Sequence, residues 1–274
     1  MSSVATSWQS RAVLLAVIPA CAIWALTQAL LVWPGNHGEV LWALGISTVF
    51  ALAVRLARAA TTAGAATGGL LACCLYLFVP GERTALWPMF AMLVLTLGAS
   101  RVGRARKLAL GTVRIFEGRH GRSAGQVAAN LGAAALAILL ANRQGQVVAQ
   151  IAMLAALAEA AADTLASELG EVFGGIPRLV TTWTEVAPGT DGGITVAGTA
   201  TGLAGAAITI AAGVSVLGLG PRAGVIAFGA AVFGLLLDSL LGAVFERRGW
   251  INNDAVNFCS TIAAAGIAVL LANT

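Results

Sequence analysis

The stretch ALAEAAADTLASELG, from Ala156 to Gly170, sets acidic residues into what otherwise reads as a membrane span. Glu159 and Asp163 are four apart and Ser167 is four further on, so on a helix the three share one face, with Glu168 a little round from it. An ionisable side chain at the middle of a bilayer costs about 2.5–3.5 kcal/mol on insertion scales, so a span carrying several should turn them from lipid towards a wet or metal-filled cleft. The rest of the chain is then expected to build the walls of that cleft.

The surroundings are as apolar as this reading needs. Of 274 residues, 58% are hydrophobic and 10% charged, and the mean hydropathy is +0.87, which excludes an ordinary soluble domain. Runs of about 20 apolar residues mark helical spans. Nine are predicted, at 12–33, 39–57, 59–80, 85–100, 125–142, 147–169, 193–218, 223–245 and 255–272. The expected fold is an all-α, polytopic transmembrane helical bundle: a four-span scaffold over residues 1–100 and a five-span half carrying the site over residues 101–274. Ala20-Cys21-Ala22 imitates a signal cleavage site, but the apolar run continues beyond it, so the segment is read as a retained span. Cys21, Cys73, Cys74 and Cys259 fall inside spans without metal or redox spacing and are expected to pack.

Charge sets the expected orientation. With the N-terminus in the cytoplasm, thirteen of the sixteen basic residues lie on that side, and only Arg83, Arg143 and Arg222 lie outside. The net charge of +4 is thus a property of cytoplasmic loops and gives no reason to expect a nucleic-acid partner. Within the loop from Arg101 to Gly125, the cluster Arg101, Arg104, Arg106 and Lys107 suits anionic lipid headgroups. Glu117, Arg119 and Arg122 stand among Gly118, Gly121 and Gly125, which let the backbone turn and present guanidinium groups to a phosphate.

Further polar residues lie inside or at the ends of the later spans. Gln126 and Asn130 share a helical face, where an interhelical hydrogen bond and a ligand role are both open. Pro188, Gly189, Thr190, Asp191, Gly192 and Gly193 precede a span, and amides at a helix start favour an anion. Asp238, Gly242 and Glu246 share a face, and Asp238-Ser239-Leu echoes Asp163-Thr-Leu. Both aspartates lie about 10–12 Å before the cytoplasmic ends of their spans, at matched depth. Asn252, Asn253, Asp254 and Asn257 fall at the same end. Acids on separate helices at one level suit Mg²⁺; a salt-bridge network with the arginines of 114–122 is the alternative. Gly218-Leu-Gly220 has the wrong spacing for a dinucleotide fingerprint, and the chain has no Walker A sequence.

The blocks Glu117-Gly-Arg-His-Gly-Arg-Ser-Ala-Gly-Gln126, Ala158 to Gly170, Pro188-Gly-Thr-Asp-Gly-Gly-Ile-Thr195 and Asp238-Ser-Leu-Leu-Gly-Ala243 with Asn253-Asp-Ala-Val-Asn257 resemble a family of integral membrane proteins. It is domain of unknown function 92, also called transmembrane protein 19-like, and includes the phytyl-phosphate kinase of plants and cyanobacteria. The family is distantly similar to CTP-dependent polyprenol kinases and phosphatidate cytidylyltransferases. The resemblance implies a Mg²⁺-dependent enzyme of the bacterial plasma membrane, facing the cytoplasm, that moves a phosphoryl group from a nucleoside triphosphate, CTP, to an isoprenoid monophosphate.

On that reading Asp163 and Asp238 hold the metal with Glu159 as helper, and Arg119 and Arg122 clamp phosphate. Gly189 to Gly193, with Pro188 and Thr190, cradle the triphosphate. Asn130, Ser167, Ser239, Asn253, Asp254 and Asn257 are the remaining candidate contacts. Cytidylyl transfer to a lipid phosphate and cation-coupled transport are the alternative functions. Chain length of the lipid and oligomeric state stay open.

Overall fold

The computed structural model describes residues 7–111 and 121–274. Its helices are α1 (Trp8–Val32), α2 (His37–Leu56), α3 (Thr62–Phe78), α4 (Leu86–Arg101), α5 (Arg104–Leu110), α6 (Ala124–Ile138), α7 (Ala141–Gln144), α8 (Gln146–Phe173), α9 (Val196–Leu217), α10 (Pro221–Val244) and α11 (Asn253–Ala272). A short antiparallel pair, β1 (Arg178–Leu179) and β2 (Gly193–Ile194), lies between α8 and α9. Side-chain caps mark many of the starts: Ser7, Asn36, Thr61, Thr195 and Asn252 each accept a backbone N–H of the first turn, and Ser123 with Gln126 forms a capping box.

Helix α8 is the axis. In its most apolar stretch 83% of residues are buried, and helices α4, α6, α9, α10 and α11 pack around it. Alanines on most of its faces let neighbours approach. The closest is α9, where a Cβ at Gly198 would lie 2.6 Å from the Ala166 carbonyl oxygen, and one at Gly202 2.8 Å from that of Ala162. Small residues at such a crossing bring backbones together without relying on the hydrophobic effect, which lipid does not supply. Enclosure by these neighbours is why α8 can carry Glu159 at mid-span. Helices α1 and α2 lie at the periphery and present Leu15, Ile23, Leu26, Leu41, Trp42 and Leu52 outward, as a lipid-facing surface does.

Helix length and apolarity do not confirm all nine spans. Among the described residues, six helices (α1, α2, α8, α9, α10 and α11) are long and apolar enough to cross a membrane, or seven if α4 and α5, bent by 58°, count as one span. Each of the nine apolar runs does contain a helix, but α3 has 17 residues and α6 only 15. The runs include residues that the backbone uses otherwise: Ala59 to Thr61 form the turn capping α3, and Leu139 and Leu140 form the turn between α6 and α7.

Chain ends of known direction meet at one end of the bundle. Ser10 near the start of α1 donates to Asp254 at the start of α11, 2.6 Å away, and Arg55 at the end of α2 reaches Thr62 at the start of α3. Arg122, just before α6, is held between Ala59 and Thr61 by backbone hydrogen bonds of 2.9 and 3.0 Å. Ser100 near the end of α4 donates to Glu168 near the end of α8 at 3.2 Å. Gly174, after α8, packs on Thr195, the cap of α9. These are the ends that carry most of the chain's basic residues, so the bundle has one basic end.

Candidate functional site

Glu159 lies fully inside the bundle, 1% exposed, and its Oε1 has no hydrogen-bond partner. The side chain fits because α10 has a glycine opposite: a Cβ at Gly234 would lie 2.6 Å from Glu159 Cγ and 3.0 Å from the Ser260 carbonyl oxygen. Helices α8, α10 and α11 therefore cross at this level. One turn towards the basic end, Asp163 on α8 and Asp238 on α10 follow. Asp163 is four residues beyond Glu159 on α8 and Asp238 four beyond Gly234 on α10, so the two aspartates lie at adjacent positions one turn from the crossing of Glu159 and Gly234.

Ser260 of α11 completes the group. It is wholly buried, and its hydroxyl is 3.1 Å from Asp238 Oδ2 and 3.0 Å from the Asn257 carbonyl oxygen. It also neighbours Glu159. Sequence reading did not select Ser260. The signal was available in the i, i+3 and i+4 spacing of Asn257, Ser260 and Thr261, a polar stripe within an apolar helix.

The chemistry of these donors matches a hard divalent cation, since all are oxygens and a buried oxygen without a partner costs about 1–3 kcal/mol if nothing satisfies it. Among the described residues no three His, Cys, Asp or Glu side chains close into a ready-made metal cage. Mg²⁺ does not require one, because it keeps several waters and takes one or two carboxylates together with substrate phosphates.

The glycine-rich loop reaches the same part of the fold. Gly192 has a positive φ of 76° and lies so close to α10 that a Cβ would come within 2.5 Å of the Ala243 nitrogen. Ala243 is five residues beyond Asp238 on the same helix. The loop is a folded turn: the Thr190 and Gly193 amides donate to Ala187 and Thr190 carbonyls at 3.2 and 2.9 Å, and the Thr190 hydroxyl donates to Ala187 at 2.7 Å. The amides of Thr190 and Gly193 are thus engaged in the turn itself, and a cradle here is narrower than the run of glycines suggests.

Other sequence-selected residues have local partners. Ser167 and Ser239 donate to carbonyls of their own helices, at Asp163 and Thr164 and at Leu235. Asn130 donates to the Gln126 carbonyl oxygen, and Gln126 caps α6. Asp254 joins helix ends through Ser10, and Gly125 packs against it. Asn253 opens α11, whereas Asn257 is buried one turn further in. Lys107 corrects the headgroup expectation for its position: it is 4% exposed, turned inward, and paired with Glu168, while Arg101, Arg104 and Arg106 are exposed. The cause is the α4–α5 bend, where Gly103 takes φ 63° and turns α5 back against α8. Arg119, with Arg114, Glu117 and His120, lies outside the described residues.

Comparison with known proteins gives one family, integral membrane protein DUF92, matched over residues 45–265. An uncharacterized membrane protein of Methanocaldococcus jannaschii is 42% identical over 128 residues, 45% of this chain and 51% of that protein. One from Synechocystis is 28% identical over 97% of this chain and 92% of its own. Protein VTE6, chloroplastic, of Arabidopsis thaliana is 27% identical over 66% of this chain and 56% of its own length. The match thus spans about half of the archaeal and plant relatives and nearly all of the cyanobacterial one. No solved structure matches the chain.

Proposed function

The chain belongs to the DUF92 family of integral membrane proteins, and from that premise we propose that it is a membrane kinase transferring a phosphoryl group from CTP to an isoprenoid monophosphate. The observation that carries the reading is the crossing of α8, α10 and α11 near the basic end of the bundle, where Gly234 packs on the buried, unpartnered Glu159 and Ser260 bonds Asp238 one turn on. The family resemblance supports the reaction class through the phytyl-phosphate kinases. The charge bias supports a cytoplasmic position for that end, and the membrane of the proposal is a bacterial plasma membrane.

An isoprenoid monophosphate is already ionised near neutral pH, so its attack on the γ-phosphorus of CTP needs no strong base. A P–O bond forms to the acceptor oxygen, the bond to the β-phosphate oxygen breaks, and CDP leaves. The barrier is repulsion between anions, which positioning and positive charge lower. Bound Mg²⁺ would neutralise phosphate oxygens, held by Asp163 and Asp238 with Glu159 behind them. Ser260 orients Asp238. Arg122, and Arg119 outside the described residues, would hold phosphate, and the turn of Pro188 to Gly193 would contact the nucleotide. Residues 1–100 supply the wall beside which the lipid lies.

The test is product analysis with purified protein, Mg²⁺, a panel of prenyl monophosphates and CTP labelled at either the α or the γ phosphate. Label from the γ position in a lipid diphosphate, with CDP released, supports the kinase. Label from the α position in the lipid with pyrophosphate released identifies cytidylyl transfer instead. No lipid product with any nucleoside triphosphate overturns the proposal.

A further inference from the structure

The segment between α8 and α9 folds into a small sheet with two unlike faces. Exposure alternates along its first strand: Ile176 and Arg178 are exposed, Pro177 and Leu179 buried. On the inner face a Cβ at Gly193 would meet Val186 at 3.2 Å and Pro177 at 3.4 Å, so that side is packed. Residues paired across an antiparallel ladder share a face, and Arg178 pairs with Ile194 on one side and with Glu185 on the other. Thr195 is extended, with φ −132° and ψ 152°, so Val196 emerges on the same side as Ile194. On this outer side Ile176, Trp183 and Val196 are 61–89% exposed. Trp183 is fixed at the hairpin turn in a left-handed backbone, φ 60°, which a residue with a Cβ seldom adopts. Its amide donates to the Leu179 carbonyl oxygen at 2.8 Å, and the Arg178 guanidinium donates to its carbonyl oxygen at 3.1 Å. The same guanidinium donates to Glu185 Oε1 at 3.0 Å, which leaves the face without net charge.

We propose that this face lies in the headgroup layer of the bilayer at the basic end and anchors the glycine-rich turn that follows it. Continuity with the lipid-facing surface selects the occupant. Val196 is the first of an exposed stripe, Val196, Ala200, Ala204, Ile208 and Ala211, that runs at three- and four-residue spacing down α9, a helix long and apolar enough to cross a membrane. Val196, Ile194 and Ile176 carry that surface past the start of the helix, to the depth where hydrocarbon gives way to headgroups. Indole suits this layer, with an apolar body and one N–H for water or a headgroup oxygen. Because Glu185 already neutralises Arg178, the attraction is apolar and aromatic and needs no anionic lipid, unlike that of the exposed Arg101, Arg104 and Arg106. The Val180 amide donates to the Gly192 carbonyl oxygen at 3.0 Å, and Gly192 lies against Ala243, so the anchored sheet holds the turn of Pro188 to Gly193 on the helix that carries Asp238. The proposal does not use the kinase reading.

The experiment uses the full chain with its four native cysteines replaced and Trp183→Cys or Ile176→Cys carrying a nitrobenzoxadiazole fluorophore. The protein is placed in vesicles of phosphatidylcholine, alone or mixed with phosphatidylglycerol. Ile176→Cys leaves the left-handed turn intact, so it reads the face even if loss of Trp183 loosens the hairpin. Both labels should lose fluorescence to a lipid spin-labelled near its headgroup and keep it against iodide present on both sides of the membrane. The loss should be equal in the two lipid mixtures and unchanged between about 0.1 M and about 1 M salt, where exposed charges are screened. Quenching by iodide and not by the spin-labelled lipid puts the face in water and overturns the proposal. Quenching by neither means that a second copy or another protein covers it, and overturns it equally. Lipid quenching confined to phosphatidylglycerol vesicles, or abolished by the higher salt, contradicts a neutral anchor.

Discussion

The buried Ser260 hydroxyl on α11 contacts Asp238 Oδ2 on α10 at 3.1 Å, linking a carboxylate that sequence reading selected to a hydroxyl that it passed over. Through this contact α11 controls where the Asp238 carboxylate points. Ser260→Ala removes the donor without adding volume. We expect an increase in the Mg²⁺ concentration needed for half-maximal activity, equivalent to about 1 kcal/mol, with a smaller effect on turnover at saturating Mg²⁺. Restoration by Ser260→Thr would support orientation of the carboxylate; an unchanged Mg²⁺ dependence in the alanine variant would count against it.

Glu159 tests whether the buried acid is a ligand or a structural remnant. Glu159→Gln preserves shape and removes the charge. A structural group with an unpartnered oxygen should tolerate this and even gain stability, because a neutral amide is easier to bury. A metal helper should lose activity by about 10²-fold or less, on the scale seen when groups supporting a metal site are replaced. Activity and thermal unfolding measured together separate the two.

The fold was legible where hydrophobic runs and their breaks coincided. Every apolar run became a helix, and the carboxylates of Ala156 to Gly170 correctly marked α8 as enclosed, because lipid exposure would be costly there. Span count was less legible, since a run does not reveal which of its residues cap or turn. Long-range partners were not legible at all. Nothing local indicates that Lys107 folds back onto Glu168, 61 residues away, or that Ser10 meets Asp254 across 244 residues. Those pairings depend on the α4–α5 bend and on which helix ends adjoin.

Lys107 and Glu168 form an ion pair in which the lysine side chain is 5% exposed and the glutamate 29%. Lys107→Met should destabilise the protein by about 2 kcal/mol, below the roughly 3–5 kcal/mol of a fully buried pair, because water reaches Glu168. Adding Glu168→Leu should recover part of that loss. Thermal unfolding in one detergent is the measurement, and an unaltered midpoint for Lys107→Met would show that the pair does not hold α5 to α8.

Gly192→Ala would force a side chain against the Ala243 backbone at a position with φ 76°. The loop must shift, at a cost above about 1 kcal/mol. Nucleotide affinity should fall while the folded protein's level in the membrane is unchanged. Equal nucleotide affinity in the variant would remove the loop from the site.

Orientation can be tested at Glu185, exposed and paired only at the surface with Arg178, 3.0 Å away. In a background lacking the four native cysteines, Glu185→Cys should react with an impermeant maleimide in inside-out vesicles and not in intact cells. The reverse pattern would place the basic end outside.

The most direct measurement is Mn²⁺ binding followed by electron paramagnetic resonance, with CTP and a prenyl monophosphate present. If Asp163 and Asp238 grip one ion, the wild type binds it tightly, and Asp163→Asn and Asp238→Asn each lose that binding while remaining folded in the membrane. Wild-type Mn²⁺ affinity in either variant would contradict a shared ion.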